Sequence, residues 1–301
     1  MRRVLLLSLA TAGLIGAAFG QVLWDNGPLR TGTGNGFNGA DTSVLEACTN
    51  LFGSNNNINA PIANRPAGEP MYRIADDFTL TRCSDLSELE WFTYQTGSTT
   101  VSTITGIFVQ IWDGRPGDTG SNVVAGDLTT NLMTATNWTG MYRVTGTALT
   151  GNTRPIMRVL ANLAGIQLEA GTYWIEVGVT GTLASGPWVP PVTPSRATDN
   201  ARHFIFTAPG GTTLDWNNRR WANLGEGTST CANLLDAPFI LRGTAMAGDV
   251  NGDCCVDDTD LAIVLEAFGD TGAGLPADLN DDGVVDDIDL AIVLEEFGNG
   301  C

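Results

Sequence analysis

Two stretches near the end of the chain carry oxygen-bearing side chains at alternating positions and then turn apolar: Asp249 to Gly269, DVNGDCCVDDTDLAIVLEAFG, and Asp278 to Gly298, DLNDDGVVDDIDLAIVLEEFG. A calcium ion takes roughly six to eight oxygen ligands, and one loop supplies them from positions 1, 3, 5, 7, 9 and 12, position 7 through its backbone carbonyl. The second stretch fits with Asp278, Asn280, Asp282, the carbonyl of Val284, Asp286 and Asp289, and has Gly283 at position 6, where the chain turns sharply. The first fits with Asp249, Asn251, Asp253, the carbonyl of Cys255, Asp257 and Asp260, and departs at position 6, where Cys254 replaces glycine. The expectation is two bound Ca²⁺ ions.

Something must hold these loops, and the sequence supplies it directly after each one. Leu261, Val264, Leu265 and Phe268 fall at i, i+3, i+4 and i+7, as do Leu290, Val293, Leu294 and Phe297, so each loop is expected to open a helix with one apolar face. An acidic disordered tail would not keep such a stripe. Neither short helix is stable alone; packed together, with their apolar residues holding the fold, they make a small domain. The segments before the loops, RGTAMAG and DTGAGLPA, bear Gly and Pro and are poor helices.

The rest of the chain has another character. Met1 to Gly20 puts Arg2 and Arg3 before an apolar stretch and closes on Ala17, Ala18 and Gly20, the pattern of a secretory signal peptide cut before Gln21. The stretch is shorter than the about 20 apolar residues of a membrane span, so the mature protein is expected to be secreted or held at the cell surface. Six cysteines in an exported chain favour disulfides, with 15 possible pairings. From Gly243 onward there are 15 Asp plus Glu and no Lys or Arg, leaving 18 acidic against 15 basic residues before it. Without clustered cations the chain is a poor partner for nucleic acid or anionic membranes.

From Gln21 to Ala247 short apolar runs alternate with turn signals, which reads as all-β. Expected strands are Val22 to Asn26, Arg73 to Leu80, Glu88 to Thr96, Ile104 to Gly114, Met141 to Leu149, Ile156 to Leu163, Thr172 to Val179, His203 to Thr207 and Pro238 to Ala245. In the fourth, Ile107, Val109 and Ile111 face one side and Phe108, Gln110 and Trp112 the other, suiting a sheet packed mainly on one side. Two antiparallel sheets face to face, a jelly-roll-like β-sandwich, account for this better than a barrel.

Catalytic signals in this body are thin. His203, the one histidine, sits among Phe204, Ile205 and Phe206 and reads as a strand residue. Asp76, Asp77, Glu88, Glu90, Glu169, Glu176 and Asp215 could supply a glycosidase pair, but no motif selects two of them, and Asp76 and Asp77 read as an exposed strand start. Trp188, Trp216 and Trp221, beside Asn217, Asn218, Arg219 and Arg220, are of the types that line a polysaccharide-binding surface and equally of those that anchor loops.

The loop-then-helix duplication from Gly248 to about Gly298, with Asp rather than Glu at position 12, resembles the type I dockerin domain. That resemblance implies two calcium ions and a cohesin-like protein partner. It also implies that the chain's end returns beside the first loop, pairing Cys301 with Cys254 or Cys255, the latter favoured; Cys254 would then pair with Cys48, Cys83 or Cys231. The chain departs from the familiar cellulosomal versions at loop positions 10 and 11, Asp258 and Thr259 then Asp287 and Ile288, and on the helices at Leu265, Glu266, Leu294 and Glu295. GIQLEAGTYWIEV, from Gly165 to Val177, resembles a strand pair of secreted bacterial β-sandwich modules and implies a fold without an activity.

The expected organisation is therefore a signal peptide over 1–20, a β-sandwich over 21–247 and a dockerin-like domain over 248–301. The function expected is non-catalytic binding or structure, assembled through the tail. A carbohydrate-active enzyme or carbohydrate-binding module tethered through a dockerin is the alternative, and a calcium-stabilised cap without a partner is the third reading.

Overall fold

The computed structural model describes residues 20–45, 54–55, 72–194, 200–207, 215–224 and 235–301. The expected signal peptide lies, Gly20 apart, outside them, as do Cys48 and Cys231. No helix among the described residues is long and apolar enough to cross a membrane. Strands β1 (Gln21–Asp25), β2 (Asp41–Leu45), β3 (Ser54–Asn55), β4 (Arg73–Leu80) and β5 (Ser84–Thr93) open the body. There follow β6 (Ile104–Trp112), β7 (Val123–Asp127), β8 (Met133–Thr145), β9 (Pro155–Leu168) and β10 (Gly171–Gly181). The last are β11 (Trp188–Val189), β12 (Arg202–Ile205), β13 (Arg220–Asn223) and β14 (Phe239–Ala245), before helices α1 (Asp258–Glu266) and α2 (Asp287–Glu295).

Two six-stranded sheets face each other, in the orders β1-β14-β5-β9-β8-β2 and β13-β12-β4-β10-β6-β7. Their pairings are antiparallel except at one edge, where β2 runs parallel to β8, Asp41 opposite Met141. The period-two reading holds on the inner faces. Ile107, Val109 and Ile111 of β6, Ile175 and Val177 of β10, and Trp91 and Leu89 of β5 are buried in one core between the sheets. Burial on that scale, about 25 cal/mol per Å² of apolar surface, drives the sandwich together.

The second sheet is also covered on part of its outer face, which the alternation did not foretell. Glu176 of β10 is fully buried there: Arg73 of β4 pairs with it, and the Trp112 indole N–H donates to it at 2.7 Å. Arg73 in turn lies 3.9 Å over the ring of Phe204 on β12. A buried ion pair survives only when its remaining polar sites are satisfied, and this one is roofed by an aromatic.

Asp76 corrects a second expectation. It is buried rather than an exposed strand start, and its Oδ2 accepts from the Asn26 amide at 2.6 Å and from the Ala237 N–H at 2.8 Å. Burial pushes its carboxyl well above the usual range, and the neighbouring Asp236 charge pushes it further. The sign follows from linkage: a carboxyl raised in the folded state contributes stability fully below its unfolded pKa, and loses it as pH rises through the folded value. Asp76→Ala should cost roughly 1–3 kcal/mol at about pH 4, because two buried donors lose their acceptor. Urea denaturation of both proteins across pH should show the difference shrinking toward neutrality; a difference that grows with pH would refute this.

Candidate metal centre

Each helix begins where its loop's acids cap it. Asp257 and Asp286 are the N-caps, accepting from Thr259 N–H at 2.7 Å and Ile288 N–H at 2.8 Å. Asp260 and Asp289 complete the capping boxes by accepting from Asp257 N–H at 2.9 Å and Asp286 N–H at 2.8 Å. The other oxygen of each ties back to the start of its loop: Val250 N–H donates to Asp260 at 2.7 Å, Leu279 N–H to Asp289 at 2.6 Å. The D-x-x-D spacing carried this capping signal, and counting ligand positions alone missed it.

The first loop position is held in the same way. Asp249 accepts from Gly252 N–H at 2.8 Å and Cys254 N–H at 3.2 Å, and Asp278 from Gly283 N–H at 2.8 Å. Asp249, Asp260, Asp278 and Asp289 are buried, whereas Asn251, Asp253, Asn280, Asp282 and Val284 are exposed and Cys255, Asp257 and Asp286 half-buried. In each loop the Asn amide donates to the Asp two residues on, at 2.9 Å. The donors are all hard oxygens, of the kind calcium selects. Among the described residues no three His, Cys, Asp or Glu side chains gather into a metal-holding cluster, the carboxylates being turned to their own loop's N–H groups. No described ion pair reaches the four buried carboxylates; the nearest cation contact is Arg82, which donates to the Asp278 carbonyl at 3.4 Å.

The two repeats interlock through position 8. Val256 donates to Asn299 O at 3.0 Å and accepts from Gly298 N–H at 2.8 Å; Val285 does the same with Asp270 at 3.0 Å and Gly269 at 2.8 Å. Their side chains, with Val264 and Val293, form a core separate from that of the sandwich. The apolar stripes divide, however. Leu261 and Val264, and Leu290 and Val293, turn inward, while Leu265 (54% exposed), Phe268 (50%), Leu294 (55%) and Phe297 (51%) face out. The buried arc runs instead through Ile263 and Ala267, and Ile292. Of the eight residues expected to hold the fold, these last four lie outside the buried core.

The cysteines join this unit to the body. Cys255 is bonded to Cys301, as the resemblance implied, and Cys254 to Cys83, which precedes β5. Around that second link Cys83 N–H donates to Asp249 at 3.2 Å, Met246 N–H to Cys83 O at 2.8 Å, and Ala170 N–H to Gly252 O at 2.9 Å. Cys254 takes the left-handed φ of 69° that Gly283 (88°) takes in the second loop, which explains why glycine is usual at position 6.

Among the body's other candidates, Glu88 and Glu90 meet at Arg242, 4.0 and 3.6 Å from it. His203 lies in β12, its ring 5.6 Å from that of Tyr72. Glu90 is held by Arg242 at 3.6 Å and Arg158 at 4.0 Å. Trp188, on β11, which pairs with β3 apart from both large sheets, packs with Leu29 and Tyr94, whereas Trp221, on β13 at the edge of the second sheet, lies 5.2 Å from Phe204; the Trp216 side chain lies outside the described residues.

Residues 247–297 match the family model of the dockerin type I domain. No curated protein and no solved structure matches the chain. Dockerin domains are generally calcium-binding, typically bind cohesins and occur on extracellular proteins, and the disulfides fit that setting.

The junction gives a controlled comparison. A Cβ on Gly252 (φ 80°) would lie 2.2 Å from the Ala170 Cβ, while the matching residue of loop two, Asp281, is exposed at φ 59°. Gly252→Ala should cost roughly 1–3 kcal/mol by thermal or urea denaturation, and Asp281→Ala about 1 kcal/mol or less. Equal costs would mean that the body does not press on loop one.

Proposed function

We propose that this is an exported, non-catalytic binding protein, in which a β-sandwich over about 21–247 is carried by a module over 248–301 that binds two calcium ions and docks onto a cohesin-type partner. The observation that carries the calcium half is the burial of Asp249, Asp260, Asp278 and Asp289 in a segment without a basic residue. Uncompensated buried anions are costly, and a divalent cation is the group that removes the cost. Asp249, Asn251, Asp253, Asp257, Asp260 and the Cys255 carbonyl would hold one ion. Asp278, Asn280, Asp282, Asp286, Asp289 and the Val284 carbonyl would hold the other. What the ion supplies is charge neutralisation and a cross-link between the loop and its helix; the chain itself supplies the caps and the interlocked valines.

The docking half is supported by the outward apolar residues. Leu265 and Phe268 recur as Leu294 and Phe297, all half exposed, and exposed apolar side chains repeated on two helices mark an interaction surface more than a packing defect. The sandwich touches loop one and leaves both helices' outer faces clear.

Full-length protein stripped with a chelator should lose far-ultraviolet helix signal and take up two Ca²⁺ per chain in calorimetric titration. Asp278→Ala with Asp289→Ala should leave one site; two sites in that variant, or none in the wild type, would refute the assignment. For docking, Leu294→Asp with Phe297→Asp should weaken capture by immobilised type I cohesins by about tenfold or more while calcium uptake stays at two ions. Undiminished capture would move the interface elsewhere, and capture by no cohesin would reject that partner class.

A further inference from the structure

We infer that a cleft of about 810 Å³ beside β8 is a binding site for a neutral oligosaccharide. Its walls come from the turn at 37–40, the loop at 97–100, the middle of β8 and the turn at 152–153. Among the described lining residues Phe37, Trp138 and Tyr142 are aromatic, and the others are amide or hydroxyl side chains, three glycines and Ala40, with no charged side chain. The thirteen described lining residues thus offer a ligand hydrogen bonds and ring faces but no charge.

The backbone is bent to build it. Trp138 pairs with Met157 but Tyr142 with Pro155, so four steps along β8 oppose two along β9. Residues four apart on a regular strand are separated by about 13 Å; here the rings of Trp138 and Tyr142 are 5.4 Å apart. Gly140, at φ 81°, makes the bulge, and the Trp138 indole N–H fixes its ring by donating to Met141 O at 3.1 Å. Bulges of this kind commonly re-aim side chains beside functional sites. Phe37 meets Tyr142 edge-on at 6.3 Å from the neighbouring turn, where Asn38 holds a left-handed φ of 52°. A Cβ on Gly39, Gly97 or Gly140 would meet nothing within 4 Å, so at these three rim positions the absent side chain leaves the mouth open.

A pyranose ring has a C–H face that packs on an aromatic ring and an equatorial edge of hydroxyls that both donate and accept. Trp138 and Phe37, half-buried, present the first kind of surface; the exposed Asn38, Thr99, Thr100 and Asn152 offer the second. An anionic sugar would find no cation here. The cleft that shares the other side of Trp138, about 480 Å³, is lined instead by Asp25, Arg30, Glu90 and Arg158, so neutrality belongs to the first cleft and not to this whole surface. This site is independent of the calcium loops and of any docking partner.

The test uses the full-length protein in excess Ca²⁺, with calorimetry and tryptophan fluorescence. The probes are hexasaccharides of β-1,4-glucose, β-1,4-xylose, β-1,4-mannose and α-1,4-glucose, a hexagalacturonate and a proline-rich peptide. At least one neutral sugar should bind and perturb the fluorescence, with hexagalacturonate and peptide weaker by about tenfold or more. Thr99→Trp and Asn152→Trp, exposed rim positions that fill the cleft without entering the core, should weaken binding by a similar factor at unchanged melting temperature. Trp138→Phe should retain more affinity than Trp138→Ala. Failure of every neutral sugar to bind, preference for the acidic sugar or the peptide, or rim variants that bind as wild type would each overturn the proposal.

Discussion

The cross-link between Cys83 and Cys254, with the bond from Cys83 N–H to Asp249, is the constraint on which the arrangement of this molecule depends. It joins residues 171 apart in sequence and lands inside the first acidic loop, between its first and sixth positions. A loop that turns at position 6 needs a left-handed residue there, and a non-glycine residue in that conformation costs roughly 1–2 kcal/mol. Cys254 accepts that cost in one loop while Gly283 avoids it in the other. What loop one gains is a fixed seat on the turn that carries the chain from β4 in one sheet to β5 in the other, so the small unit is not free on a linker but seated against the sandwich.

That seat breaks the symmetry of the duplication. The capping boxes recur 29 residues apart, as do the ties of Val256 to Gly298 and Asn299 and of Val285 to Gly269 and Asp270. Loop one has the closer neighbours: Ala170 against Gly252 and Cys83 against Asp249 from the body, and Cys301 from the chain's end, bonded to Cys255. It is pre-organised from two sides, whereas loop two relies on its own hydrogen bonds and on Arg82 near its first residue. Order imposed by covalent and packing contacts lowers the conformational entropy a segment still has to lose, so the two loops, alike in sequence, are unlike in how much order is already built in.

Local patterns were legible in the sequence and long-range ones were not. The helices after the acidic loops lie where spacing put them and all nine expected strands overlap observed ones, because those signals are carried by residues a few positions apart. Strands β2 (DTSVL), β7 (VVAGD) and the first half of β8 (MTATNWTG) went unseen: they are polar or broken by glycine, and their pairing partners alone make them strands. The Cys255–Cys301 bond followed from a resemblance, since spacing alone left every pairing open. The burial of Asp76 depends on Asn26 and Ala237, distant in the chain, which no local pattern of Asp76 and Asp77 records. The cleft was hidden for the same reason: Phe37, Thr99, Trp138 and Asn152 meet only after the sandwich has closed.

The apolar stripes of the two helices show how a correct period can still mislead. A run at i, i+3, i+4 and i+7 defines an arc wider than one neighbouring helix can cover, and it leaves open which edge of the arc meets that neighbour. Here Asp260 and Asp289 decide. Each is buried at the helix start to hold its loop, and that fixes the rotation of the helix about its axis, drawing Ile263, Val264 and Ala267 inward with Asp260, and Ile292 and Val293 with Asp289. Leu265, Phe268, Leu294 and Phe297 are left outside as a consequence. The carboxylates that organise the loops thus also decide which apolar residues the module presents to solvent.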